Sequence, residues 1–165
     1  MNPLFQKISN KIQDWSTAVQ TVRKWQNNGL EVVFTNGCFD LVHLGHLAYL
    51  AEAAAQGQKL VIGLNSDASV SRLKGKHRPI KDQTNRAHLL ASLEMVDLVV
   101  LFEEDTPLQL IEAIQPDVLV KGGDWSIEEI VGSKCVLANG GQVKSLTFIE
   151  GYSTTKLEQK IRSRS

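Results

Sequence analysis

Thirteen residues constrain this chain more than any others: Phe34-Thr35-Asn36-Gly37-Cys38-Phe39-Asp40-Leu41-Val42-His43-Leu44-Gly45-His46. The apolar run Val32-Val33-Phe34 that leads into them reads as a buried strand. The alanine-rich stretch Leu47–Ala55 that follows reads as a helix. A strand, a loop of small residues and a helix opening at two histidines is a building unit of open α/β sheets, and ligands collect at such turns. A helix start offers free N–H groups and about half a positive charge, which suits an anion. His43 and His46 are three apart and share a helical face, where either imidazole can donate to a phosphate oxygen. Gly45 between them lets a bulky anion approach the backbone, and Asn36 and Gly37 can turn the chain out of the strand.

The rest of the chain repeats the alternation. Strands are predicted at 31–35, 59–65, 97–102, 117–121 and 142–149. Helices are predicted at 43–56, 67–73, 82–93, 106–114 and 126–131, with a final one at 153–164; the stretch 134–141 is ambiguous. Asp67 is expected to cap its helix, and Pro107 takes the first helical position after Thr106. Strands apolar on both faces and separated by helices imply an α/β, Rossmann-like, open parallel five-stranded sheet with helices on both faces. Residues 1–30 read as a peripheral helical arm, with Ser16 capping a helix that carries Val19, Val22 and Trp25. Residues 31–165 form the main domain.

A length of 165 residues fits one core, and 42% hydrophobic with 22% charged residues is ordinary for a globular protein. The formal net charge of zero gives no case for nucleic acid or an acidic membrane surface as a partner. Cys38 and Cys135 stand in no metal-ligand spacing; with no signal peptide visible they suggest a reducing cytoplasm. No run of residues matches an all-protein metal site, and none is apolar enough to span a membrane.

Chemistry-bearing residues gather in the loops after strands, where open sheets bind ligands. The second strand leads to Asn65-Ser66-Asp67 and on to Lys74, and Arg86 follows on the next helix. The fourth leads to Lys121-Gly122-Gly123-Asp124-Trp125, and the fifth to Gly151-Tyr152-Ser153-Thr154-Thr155-Lys156. Ser153, Thr154 and Thr155 open a helix and can offer hydroxyls and N–H groups to a second phosphate cluster, though such residues also serve simply as caps. Two helix starts that both suit anions suggest a polyphosphate between them. The bland alternatives are an (i, i+4) pair of Arg86 with Asp82, and a small buried thiol at Cys38.

With His43-Leu44-Gly45-His46 and Gly151–Thr155 in order, the chain resembles the HxGH nucleotidylyltransferases of the cytidylyltransferase-like superfamily. It is most similar to the adenylyltransferase domain of the bifunctional heptose enzymes of lipopolysaccharide synthesis. Thr35–Leu41, Gly63–Val70, Arg72–Gly75, Phe102–Pro107, Asp117–Asp124 and Ala138–Gly141 carry that likeness. The resemblance implies adenylyl transfer from ATP, with Mg²⁺ held mainly by phosphates, to D-glycero-β-D-manno-heptose 1-phosphate, giving ADP-heptose and pyrophosphate. It also implies a homodimer. About thirty residues before the domain are too few for a kinase, so a stand-alone version fed by a separate kinase is the expectation.

The resemblance further assigns roles. His43, His46 and Lys74 are the expected catalytic residues. Asn36, Gly37, Phe39, Gly45, Arg86, Lys121, Gly122, Asp124, Ser153, Thr154 and Thr155 are expected to hold nucleotide, with Arg86 on a phosphate. Asp40, Asn65 and Asp67 are expected on the acceptor side. The nearest rival is glycerol-3-phosphate cytidylyltransferase, which usually carries Arg-Thr-Glu-Gly before the Ser-Thr-Thr run; here Phe148-Ile149-Glu150-Gly151 lacks the Arg. A dinucleotide-dependent dehydrogenase would want G-x-G-x-x-G after the first strand, which is absent. A non-catalytic nucleotide-binding module would tolerate loss of a histidine, and both are present. A class I aminoacyl-tRNA synthetase fragment would be longer and more basic.

Overall fold

A computed structural model describes residues 2–147. The elements run α1 (Pro3–Ser9), β1 (Ile12–Gln13), α2 (Trp15–Asn27), β2 (Val32–Gly37), α3 (Leu44–Ala54), β3 (Lys59–Asn65) and α4 (Asp67–Lys74). They continue α5 (Gln83–Ala91), β4 (Leu98–Phe102), α6 (Leu108–Ile114), β5 (Val118–Gly122), a 3₁₀ turn (Ile127–Glu129), α7 (Ser133–Ala138) and β6 (Gln142–Leu146). The expected final helix at 153–164, with Ser153, Thr154 and Thr155, lies outside the described residues.

All strand pairs are parallel, in the order β1-β4-β3-β2-β5-β6. Among the described residues the sheet therefore has six strands rather than the five expected. The extra one, Ile12–Gln13, lies against Val99 and Val100, and two residues are too few to leave a period in the sequence. Residues before 31 thus join the sheet and the core: Ala18 and Val22 of α2 are fully buried, and the Trp15 indole donates to the Leu101 carbonyl at 2.8 Å. Asp14, not Ser16, caps α2, and Ser66, not Asp67, caps α4. The ambiguous stretch 134–141 is mostly helix α7.

Alternation along the strands explains the layers. Val33, Leu60, Ile62, Leu64 and Val120 face one side, with Leu50 and Ala53 of α3 and Leu90 of α5. Val32, Phe34, Val61, Val100 and Leu119 face the other, with Val22 of α2, Leu110 and Ile114 of α6 and Val136 of α7. No helix among the described residues is long and apolar enough to cross a membrane.

The strand order makes a switch point. From β2 the chain moves outward through β3 to β4, then returns to β5 on the other side of β2. Connections leave β2 and β5 in opposite directions, which opens a crevice at their C-terminal ends. The register shows the opening: β2 pairs with β3 from Val32 to Gly37, but with β5 only at Val33–Val118 and Phe34–Leu119.

Candidate active site

The crevice between the ends of β2 and β5 holds a cavity of about 140 Å³. Asn36, Gly37, Phe39 and Asp40 line it from the loop after β2, His46 from α3, Lys74 from the end of α4, and Lys121 and Gly122 from β5. His43 is the residue before α3, and its ring stacks on His46 with centroids 3.9 Å apart and planes at 24°. The expected helical spacing thus becomes a stacked pair at a helix start. Gly45 is buried in the first turn of that helix.

The pair is held in its uncharged form. Burial pushes His46 down to about 4, with the neighbouring His43 and Lys74 adding to the effect and the Leu41 backbone opposing it. Burial also lowers His43. Neither Nδ1 atom finds a partner of hydrogen-bond geometry among the described residues. Desolvation and a close cationic neighbour both penalise the imidazolium. At neutral pH the crevice therefore presents neutral imidazoles, each with one N–H to give. Two lysines bring positive charge to the same walls; burial lowers the proton affinity of Lys121.

The floor involves Tyr49, which the sequence did not single out. Tyr49, one turn beyond His46 on α3, exchanges a 2.7 Å hydrogen bond with Thr35 of β2 and donates to the Val120 carbonyl of β5 at 3.4 Å. It bridges the two strands just past the point where their ladder stops. Burial raises the phenol to about 12, so it stays a neutral donor. The spacing 43, 46, 49 was the signal that could have found it. Cys38 also lines the crevice, and burial raises its thiol, as fits a small packed residue rather than a nucleophile. Trp125 is half exposed and lines an adjoining apolar cavity with Pro107, Leu119 and Ile130. Asp124 is exposed on the loop after β5.

Three residues expected at the ligand, Arg86, Asn65 and Asp40, are buried in hydrogen bonds within the fold. Arg86 is fully buried. Its guanidinium donates to the carbonyls of Lys81 (3.0 Å), Cys38 (2.7 Å) and Asn65 (2.8 Å), and to the Asp67 carboxylate at 2.7 Å. Its acidic partner is therefore Asp67 rather than Asp82, which caps α5. Asn65 is 4% exposed and donates to the Ser69 hydroxyl. Asp40 borders the crevice, but its carboxylate, 2% exposed as a residue, accepts from the N–H groups of Ile80 and Lys81 and pairs with Arg78 at 3.2 Å. It pins the segment 78–81 to the histidine loop.

A resident Mg²⁺ does not fit these residues. Asp40 is the carboxylate among the described residues lining the crevice, and it is committed. No three His, Cys, Asp or Glu among the described residues gather as a metal site.

Known proteins are similar to this chain. Residues 34–160 match the family described as cytidylyltransferase-like. Curated relatives include the bifunctional protein HldE of Citrifermentans bemidjiense, 51% identical over 93% of this chain and 32% of the relative. That of Nitrobacter hamburgensis is 52% identical over 99% of this chain and 34% of the relative. The chain thus spans about a third of the length of these relatives. Among solved structures, the lipopolysaccharide core biosynthesis protein of Thermoplasma volcanium superposes with a TM-score of 0.58 at 27% identity, covering 75% of this chain and all of that one. With the family match running from β2 past the described residues, and a switch-point crevice that holds the paired histidines, the chain belongs to the cytidylyltransferase-like family of nucleotidyltransferases.

Proposed function

We propose that the chain transfers an adenylyl group from ATP to a sugar 1-phosphate, with D-glycero-β-D-manno-heptose 1-phosphate as the acceptor, giving ADP-heptose and pyrophosphate. The observation that carries the transfer is the stacked, neutral His43–His46 pair at the start of α3, with His46 lining a crevice walled by Lys74 and Lys121. The likeness to HldE proteins and to a lipopolysaccharide core biosynthesis protein supports the choice of acceptor.

In this reading an acceptor phosphate oxygen attacks the α-phosphorus in line, and the bond to the bridging oxygen of pyrophosphate breaks. The nucleophile is already an anion, so no general base and no covalent enzyme intermediate are required. The protein contributes positioning and donors aimed at oxygens where charge builds. His43 and His46 donate to the α-phosphate, and Lys74 and Lys121 balance its charge. Ser153, Thr154 and Thr155 hold the leaving pyrophosphate, and Asn36, Gly37, Gly45 and Gly122 give it and the nucleoside close backbone approach. Asp124 closes the nucleoside side. Mg²⁺ would be held mainly by the nucleotide's phosphates and water and would supply charge neutralisation there. The chain works as a homodimer in the cytoplasm, where ATP and sugar phosphates are at hand.

A pyrophosphate-release screen tests this: ATP, CTP, GTP and UTP, each against heptose 1-phosphate, other sugar 1-phosphates and glycerol 3-phosphate, with Mg²⁺ present. The expected result is turnover with ATP and the heptose phosphate. Turnover with CTP and glycerol 3-phosphate instead would replace the reading with polyol-phosphate cytidylyl transfer. Nucleotide binding with no turnover for any pair would reduce the chain to a binding module.

A further inference from the structure

Phe39 has a backbone that its residue type disfavours. It sits at φ 45°, in the left-handed region where a bulky side chain is an outlier. Such strain persists only where the surroundings enforce it, most often at a working site. The ring that this backbone directs is 6% exposed and meets His46 edge-on, with centroids 5.3 Å apart and planes at 61°. Gly37 makes room for it: a Cβ there would lie 2.9 Å from the Phe39 ring. An unusual backbone at one residue and an absent side chain two positions earlier together deliver one aromatic ring to one face of the site.

We infer that Phe39 is a positioning residue, whose ring is forced against His46 to keep water from the imidazole and to fix its plane for donation to phosphate. His46 then has two ring neighbours, His43 stacked and Phe39 edge-on. Charged and titratable groups among the described residues around it are His43, Lys74, Lys121, Cys38, Asp40 and Tyr49. His43 and Lys74 disfavour the imidazolium by charge, but burial is the larger influence. The ring that supplies part of that burial is the lever. The inference rests on His46 serving phosphate, yet its test does not need turnover.

The test is an NMR titration of the His46 ring in the free protein, for wild type, Phe39→Ala and Gly37→Ala. Phe39→Ala removes the ring and opens that face of His46 to water, and the methyl group of Gly37→Ala displaces the ring while Phe39 remains. Wild-type His46 should titrate near 4. Both variants should titrate higher by about one unit or more, a tenfold gain in proton affinity. A smaller shift in either folded variant overturns the role, because a ring that merely filled core would leave the imidazole's titration where it was. If a variant fails to fold, wild type and the other variant decide by the same criterion. Should the pyrophosphate screen find no reacting pair, the functional reading falls while the titration still judges Phe39.

Discussion

At the scale of single residues, the two histidines stand apart from everything around them, because the fold spends burial on polar rings. Removing one preorganised donor to a developing charge typically costs about 3 kcal/mol of barrier. His46→Ala and His43→Ala should each lower kcat by about 10²–10³-fold, with much smaller changes in KM, measured by steady-state pyrophosphate release. The burial also has a sign in stability. His46 has a folded value near 4 against an ordinary 6.5, so between those values the unfolded chain binds more protons. Its contribution is therefore intact above about 6.5 and is lost as the pH falls from there toward 4. Thermal melts of the free protein should show Tm dropping over that window, and His46→Asn should flatten part of the drop. Bound triphosphate should reverse the trend, since an anion favours the imidazolium. The pairing of the histidines was legible because residues three apart across a helix start come close together, although His43 itself is extended rather than helical. Arg86 and Asp40 were not legible as framework: a sequence marks their charges but says nothing about whether a carbonyl or a ligand meets them.

At the scale of elements, Arg86 explains how four segments hold still around the crevice. It lies on α5 and binds the loop after β2 at Cys38, the end of β3 at Asn65, the start of α4 at Asp67 and the loop before α5 at Lys81. The planar fork lets one side chain serve carbonyls in several directions, and an ammonium cannot replace it. Arg86→Lys should lose about 2–4 kcal/mol in urea unfolding, since buried carbonyls are left without donors. Lys74→Met makes the contrast. Lys74 is exposed at the end of α4, so stability should stay within about 0.5 kcal/mol while turnover falls. If Lys74→Met lost stability and Arg86→Lys did not, the division between framework and site would be reversed. The helices themselves were readable from their stripes and turn residues. Their starts were less so, because Asp14 or Ser16, and Ser66 or Asp67, are chemically equal candidates for a cap.

At the scale of the whole molecule, the sheet order decides where function can sit. Alternating strands and helices made a parallel sheet legible, and the β2 motif marked one side of the switch point. The other side, β5, was marked only by a lysine and two glycines, and the edge strand β1 left no signal. That edge is nevertheless the place where the molecule meets a general hazard. An open sheet ends in unpaired N–H and C=O groups, which invite pairing with other chains, and a very short edge strand blunts the risk. Ile12 and Gln13 lie along β4, the Val99 N–H reaches the Lys11 carbonyl at 2.8 Å, and the Lys11 ammonium donates to the Leu93 and Val96 carbonyls. Deleting residues 2–13 should therefore strip cover from β4, a strand of five largely buried residues. The truncated protein should melt lower by roughly 5 °C or more and scatter light on standing at concentrations where the full chain stays clear. The crevice lies two strands away, between β2 and β5, so freshly prepared truncated protein should keep near-normal kcat per folded molecule. A truncated chain that stayed clear and melted like the full one would make residues before α2 dispensable to the sheet. A chain that kept its stability but lost turnover would instead tie this edge to the reaction itself.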